Sequence, residues 1–181
     1  SVAEKAGLLG RMDEAARAVG PQIVQVTAGY LELRRHMWLF NSEGVQVEDD
    51  RYFTEMRGGG VARRKGTLQR INEGFGGRVG LELLEQNDAI QKIDSMAERA
   101  IKMLDAKPCP AGDMTVVMCN GWGGVLFHEA CGHQMEADFI TKGSSAYTGK
   151  IGQQVANPII TAIDDGTIPG RRGSLRFDDD G

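Results

Sequence analysis

The segment Lys107-Pro108-Cys109-Pro110 constrains the fold more than any other feature of this sequence. Proline lacks the amide donor and its ring clashes with the preceding turn, so a helix cannot continue through two prolines that flank one residue. Before this segment, residues 83 to about 104 repeat apolar side chains at helical spacing, which predicts a long amphipathic helix. The sequence therefore predicts a domain boundary, with a partial N-terminal domain over 1–110 and the beginning of a second domain over 111–181.

The first domain is predicted to combine helix and antiparallel strands. Residues 3 to about 19 place apolar side chains on one helix face, and Gly20-Pro21 follows as a stop signal. Residues 23 to about 40 are rich in β-branched and aromatic side chains, and residues 41–44 separate them from the alternating run 45–48. This pattern indicates a hairpin.

Glycine punctuates the remainder of the first domain. The extended run 52–57 leads into Gly58-Gly59-Gly60, which we interpret as a bulge or loose turn. A phosphate-binding loop is disfavoured because no Gly-Lys-Ser/Thr follows. Residues 61–73 are predicted to form a further strand that residues 74–77 end.

The second domain is predicted to begin with a buried strand over residues 114–119 and a glycine-rich turn over 120–124. A helix is predicted over 125–138, a loop over 143–149 and a strand over 158–164. The predicted class is α+β: an N-terminal helix plus antiparallel strands, then the start of a mixed α/β catalytic domain that carries a metal-motif helix.

That motif is His128-Glu129-Ala130-Cys131-Gly132-His133. A catalytic zinc site uses three protein ligands, often imidazoles, with an open position for water and a carboxylate nearby to accept a proton. On an ideal helix a spacing of five residues turns the second histidine about 140° away from the first. The helix must therefore be distorted between them, and Gly132 and Ala130 would tolerate a kink or a one-residue bulge.

Two of the three histidines fall within six residues, with a glutamate directly after the first. Packing alone explains such clustering poorly. We assign His128 and His133 as candidate metal ligands and Glu129 as the candidate catalytic carboxylate. His36 is interpreted as an ordinary polar group that has found a partner.

Other side chains near the motif carry open alternatives. Glu136 lies three residues after His133 and either orients that imidazole or is a solvated charge. Core packing is favoured over metal binding for Cys131 because it lies between the two histidines. The neighbouring large apolar residues, predicted to be core, are Phe127, Met135 and Phe139.

Composition limits location and partners. The net charge of -4 is spread over both halves without a basic stripe, which argues against nucleic acid as the main partner. No run of about 18 apolar residues occurs and the first residues lack a secretory pattern, so we expect a cytoplasmic protein without a membrane span. The odd set of Cys109, Cys119 and Cys131 suggests reduced thiols.

Three runs carry a resemblance to a known family: NGWGGVLFHEACGHQMEAD at 120–138, KGSSAY at 142–147 and DDGTIPGRRGS at 164–174. They resemble the TldD/PmbA family, also called modulators of DNA gyrase, over residues 113–181. Upstream, only the order of helix and hairpin agrees. The resemblance implies a zinc-dependent peptidase in which His128 and His133 bind the metal and Glu129 is the general base, as in the TldD-like branch.

The resemblance also implies partners and a third metal ligand. Family members act on peptides or unfolded protein segments, as homodimers or with a related PmbA-like subunit. Their third zinc ligand is a cysteine far downstream, to which none of Cys109, Cys119 and Cys131 corresponds. We therefore expect residues 1–181 to be a fragment of a longer chain, to bind zinc weakly or not at all, and to be inactive by themselves.

Two other hypotheses stay open. The protein is alternatively a non-catalytic regulatory or binding protein, such as a gyrase modulator or a peptide-binding partner subunit. A redox metal protein is disfavoured because a glutamate adjacent to a ligand suits hydrolysis. The loop around Tyr147 and the pair Arg171-Arg172 either contact substrate or are ordinary surface.

Overall fold

The computed structural model describes residues 1–83, 88–179 and 181. They divide into two compact units: unit 1 is Ser1–Pro108 with Asp165–Gly181, and unit 2 is Cys109–Asp164. The predicted first turn of the second helix, at residues 84–87, lies outside the described residues. No helix among the described parts of the chain is long and apolar enough to cross a membrane.

Unit 1 is built on a three-stranded antiparallel sheet with the strand order β1-β2-β3. Among the described residues, this sheet and the helices packed on it confirm the predicted α+β class and the predicted hairpin. In chain order the elements are α1 Val2–Ala18, β1 Ile23–Phe40, β2 Gln46–Arg64, β3 Thr67–Gly77 and α2 Ala89–Met103.

Helices α1 and α2 begin at capping residues. Ser1 and Glu4 form a capping box at the start of α1, and Asp88 accepts a hydrogen bond of 2.9 Å from the Gln91 amide at the start of α2. Each helix buries its apolar face in one core shared with the sheet. The buried core residues are Met12, Ala16, Ile23, Met56, Ala62, Ala89, Ile93, Met96, Ala97 and Ala100.

The glycine run 58–60 lies inside β2 in regular register with β1, so the interpretation as a bulge or turn is wrong. Its physical role is close packing of a helix on the sheet. A Cβ at Gly58 would lie 1.9 Å from Ile93 Cδ1, and one at Gly60 would lie 2.9 Å from Met96 Cε. Glycine thus lets α2 approach the sheet more closely than any other residue would.

A two-residue turn at Lys65 and Gly66 separates β2 from β3. Their φ angles of 48° and 87° both lie in the left-handed region, which suits the twist of a tight hairpin. The single strand predicted over residues 61–73 is therefore wrong, because it crosses this turn.

A buried charged cluster attaches the segment Asp165–Gly181 within unit 1. Asp49 accepts hydrogen bonds from Arg51 Nε at 2.7 Å and from Arg78 Nη2 at 3.2 Å. The same two guanidinium groups donate to the backbone carbonyl oxygens of Phe177 and Ser174. The hydrogen bond from Arg51 and the charge of Arg78 lower the pKa of Asp49 against the opposing effect of burial.

Unit 2 contains the motif helix in several pieces. These are α3 Trp122–Phe127, a π-helical segment His128–Gly132, α4 His133–Met135 and α5 Ala137–Thr141. The backbone leaves helical geometry at Glu136, where ψ is 136°. The predicted helix over 125–138 is confirmed in place, but it begins earlier and is interrupted.

The strands predicted over 114–119 and 158–164 are wrong, because neither segment forms a strand. Their apolar side chains are exposed, with Val117 at 88% and Ile163 at 82% of full exposure. Strand propensity is realised only against a neighbouring strand. Phe127, Met135 and Phe139, predicted to be core, are likewise exposed.

Candidate metal centre

The π-helical segment solves the geometric problem posed by the spacing of the two histidines. The backbone amide of His133 donates to the carbonyl oxygen of His128, an i to i+5 hydrogen bond. This bond joins the same two residues whose rings must converge, so one widened turn brings positions 128 and 133 above one another. The prediction that the helix is distorted between the histidines is confirmed.

The side chains of His128, Glu129 and His133 converge. The ring centroids of the two histidines are 4.2 Å apart with planes inclined by 58°. A carboxylate oxygen of Glu129 lies 3.6 Å from His133 Nε2. One ligand atom from each of the three residues lies within 4.8 Å of the others, close enough for a shared ion.

Gly132 provides space for this arrangement. A Cβ at position 132 would lie 3.0 Å from His128 Nδ1 and 3.5 Å from its Cγ. The φ angle of -59° is accessible to any residue, so position 132 is limited by contact with the His128 ring and not by the backbone conformation. The sequence indicated Gly132 as a site of distortion, and the π-helical segment includes it; the structure adds that Gly132 leaves space beside the His128 ring.

Glu136 contacts Nδ1 of His133, whereas Nε2 is the nitrogen nearer to Glu129. Glu136 Oε1 lies 2.8 Å from His133 Nδ1, at the point where the helix breaks. Of the two alternatives for Glu136, the geometry favours the orienting carboxylate.

The donor set suits a transition-metal ion. Two imidazole nitrogens and a neighbouring carboxylate oxygen are groups that zinc accepts in proteins. His128 and Glu129 are exposed and His133 is half-buried, so the converging atoms are accessible to an ion and to a further ligand. Cys131 lies inside the π-helical segment, is half-buried, and does not belong to this group.

A loop interaction next to the motif was not predicted. Ser145, which is buried, donates its hydroxyl to the Gln134 carbonyl oxygen, and the Ala146 amide donates to Gln134 Oε1 at 3.0 Å. The loop that carries Tyr147 is therefore attached to the residue after His133. Side chains of this kind give no sequence signal, because a serine in a polar loop is typical of any turn.

The remaining candidates lie elsewhere. His36 pairs with Glu48 at 2.9 Å, which agrees with its interpretation as an ordinary polar group. Arg172 belongs to unit 1 and pairs with Glu55 at 2.8 Å.

The converging group of His128, Glu129 and His133 is a candidate metal site whose ligand atoms are accessible. The sequence matches the PmbA/TldA metallopeptidase central domain over residues 1–106 and the C-terminal domain of the same family over residues 111–181. The chain belongs to the PmbA/TldA metallopeptidase family.

Curated relatives agree with this assignment. The chain is 38% identical to a metalloprotease TldD homolog of Haemophilus influenzae, over 98% of this chain and 38% of the relative. It is 34% identical to a metalloprotease of Methanothermobacter thermautotrophicus, over 99% of this chain and 39% of the relative. The chain thus spans less than half the length of the curated relatives that it matches.

Proposed function

We propose that this chain carries the catalytic segment of a zinc-dependent peptidase that hydrolyses peptides or unfolded protein segments. The observation that carries the proposal is the convergence of His128, Glu129 and His133 across the π-helical turn. Membership of a metallopeptidase family supports a metal and a hydrolytic reaction.

The proposed roles follow from the chemistry of the side chains. His128 and His133 would hold the ion through ring nitrogens. Zinc, when bound, acidifies a water and polarises the scissile carbonyl group. The Glu129 carboxylate would accept a proton from that water and deliver it to the leaving amine nitrogen. This proton transfer needs a group that is close to the ligands and able to move. Glu129 meets both needs, since it lies 3.6 Å from His133 Nε2 and its side chain is largely exposed.

Substitution Glu129→Gln in the full-length protein tests the assignment. We expect cleavage of an unstructured peptide to fall by at least about 100-fold, because the amide cannot accept the proton. Zinc content, measured by elemental analysis, should stay unchanged because both imidazoles remain.

The matched control is Asp138→Asn, which neutralises a nearby exposed carboxylate paired with Lys142. It should leave cleavage unaltered. Activity retained by the Glu129→Gln variant would contradict the proposed base. A full-length protein that binds a peptide but neither cleaves it nor holds zinc would favour the alternative of a non-catalytic binding protein.

The third ligand is proposed to be a cysteine outside residues 1–181, and the active form a homodimer or a complex with a related subunit. Two imidazoles give zinc too few protein ligands. We therefore expect calorimetric titration of residues 1–181 to show weak zinc binding or none, and no peptide cleavage. Tight stoichiometric binding by residues 1–181 would contradict this expectation.

A further inference from the structure

Glu136 engages one particular nitrogen of one proposed metal ligand. Its Oε1 lies 2.8 Å from His133 Nδ1, which is the separation of a good hydrogen bond. A carboxylate can only accept, so the hydrogen must be on Nδ1, and the lone pair of a neutral ring is then on Nε2. The contact thus selects one of the two tautomers of His133.

From this geometry we infer that Glu136 is a positioning residue, which holds His133 in the tautomer and orientation that present Nε2 to a metal ion. The inference rests on the proposed zinc site. A carboxylate or carbonyl on the outer nitrogen of a ligating histidine fixes the ring and strengthens the ligand in metal sites generally.

The Glu136 side chain does not cap the helix that follows it, α5. Glu136 occupies the N-cap position of α5, where ψ is 136°, yet its side chain makes no capping hydrogen bond. The short side chains of Ser, Thr, Asp and Asn are the ones that ordinarily accept from the first free amides of a helix, and the longer Glu136 does not do so here. Here the carboxylate instead faces the imidazole, and the break in the helix leaves its backbone outside regular helical geometry.

The two carboxylates near His133 address opposite sides of the ring. Glu136 is hydrogen-bonded to Nδ1, whereas Glu129 lies 3.6 Å from Nε2, beyond hydrogen-bond distance. Nε2 is thus the ring nitrogen that faces the Glu129 carboxylate. The arrangement separates two tasks: Glu136 orients the ligand, and Glu129 remains available for proton transfer.

The test measures zinc affinity of the full-length protein by competition with a chromophoric chelator. Loss of an orienting partner typically weakens metal binding about 10- to 100-fold, which is the effect expected for Glu136→Ala. Glu136→Gln should fall between the Ala variant and the parent, because its amide oxygen still accepts from Nδ1. Asp138→Asn is the matched control and should bind zinc within about twofold of the parent, since Asp138 pairs with Lys142 and not with a histidine.

A second readout does not depend on the metal. In the zinc-free protein, nitrogen-15 NMR of the imidazoles should show His133 protonated at Nδ1 in the parent and a mixture of tautomers in Glu136→Ala. The Gln variant keeps the test valid if the Ala variant does not fold.

The outcomes separate the two proposals. A parent protein that binds no zinc contradicts the proposed function, while the NMR tautomer still decides the role of Glu136. A parent that binds zinc, together with position 136 variants that bind it equally well and leave the tautomer unchanged, overturns the positioning role alone.

Discussion

The two units of the chain differ in where their order comes from. Unit 1 encloses a hydrophobic core in which Met56, Met96 and Ala97 are fully buried. In unit 2, Ser145 is the one buried residue among those whose burial the structure describes. The fold of unit 1 thus rests on apolar packing within the chain, whereas the described geometry of unit 2 rests on local hydrogen bonds along the motif helix and its loop.

The charged groups of the two units also differ, in how far they are buried and paired. In unit 1 the buried Asp49 pairs with two arginines that also donate hydrogen bonds to a backbone segment far along the chain. In unit 2 the converging groups of His128, Glu129 and His133 are largely open to solvent. Polar groups that are saturated by partners serve attachment, and those that converge with an open side can bind a ligand.

The largest effect on stability is expected from removal of the buried Asp49 carboxylate in unit 1. Asp49→Ala leaves the buried Arg51 and the partly buried Arg78 without their carboxylate, which should lower the free energy of unfolding by about 3–5 kcal/mol. Urea denaturation followed by circular dichroism measures the change. The matched control is Asp50→Ala, which breaks an exposed pair with Arg34 and should cost about 0.2–1 kcal/mol.

Acidification should act in the same direction as Asp49→Ala. Because the pKa of Asp49 is lowered in the folded state, its contribution is complete above the ordinary aspartate pKa, about 3.9, and is lost as the pH falls through the lowered pKa. Equal losses of unfolding free energy in Asp49→Ala and Asp50→Ala would contradict a larger contribution to stability from the buried cluster than from an exposed ion pair.

A smaller effect is expected where the helix of unit 1 meets the sheet. Gly58→Ala places a methyl group against the buried Ile93 side chain and should cost about 1–3 kcal/mol through overpacking. Gly29→Ala, on the neighbouring strand, meets no atom within 4 Å and should be neutral or slightly stabilising. The same denaturation measurement compares them, and equal stabilities would contradict close helix-to-sheet packing.

The smallest effect is expected in unit 2, on metal affinity and not on stability. Gly132→Ala crowds the His128 ring and should displace it by a few tenths of an ångström, which we expect to weaken zinc binding by the full-length protein about three- to tenfold. Gly124→Ala, in the same helix, meets no atom within 4 Å and should not change the affinity. Chelator competition measures both, and a Gly132→Ala variant with unchanged affinity would remove the spatial role of this glycine.

Sequence reasoning succeeded where the pattern was local and complete. The apolar periodicity of α1 and α2 predicted both helices, since both face the core that they share with the sheet. The spacing of His128 and His133 predicted a distorted helix, because two rings that share an ion impose a geometric condition on the backbone between them.

Structural features that depend on residues far away in the sequence were not predictable from local patterns. The run 114–119 has strand-like residues but no strand beside it, so its propensity was misleading. Gly58 resembled a turn residue because the helix that crosses it comes more than 30 residues later. The hydrogen bond from Arg51 to the Phe177 carbonyl oxygen joins residues 126 positions apart, and no local pattern encodes such a contact.

The π-helical turn also has a consequence for how such a motif can vary. A wide turn that spaces its histidines five residues apart and an ordinary α-turn that spaces them four apart present both rings to the same side of the helix. Gain or loss of one residue between two ligands can therefore be absorbed by the backbone as a change of helical type. Motifs that differ in length by one residue can thus arrange their histidines alike. The direction of the side chains is therefore a better guide to common chemistry than the number of residues between them.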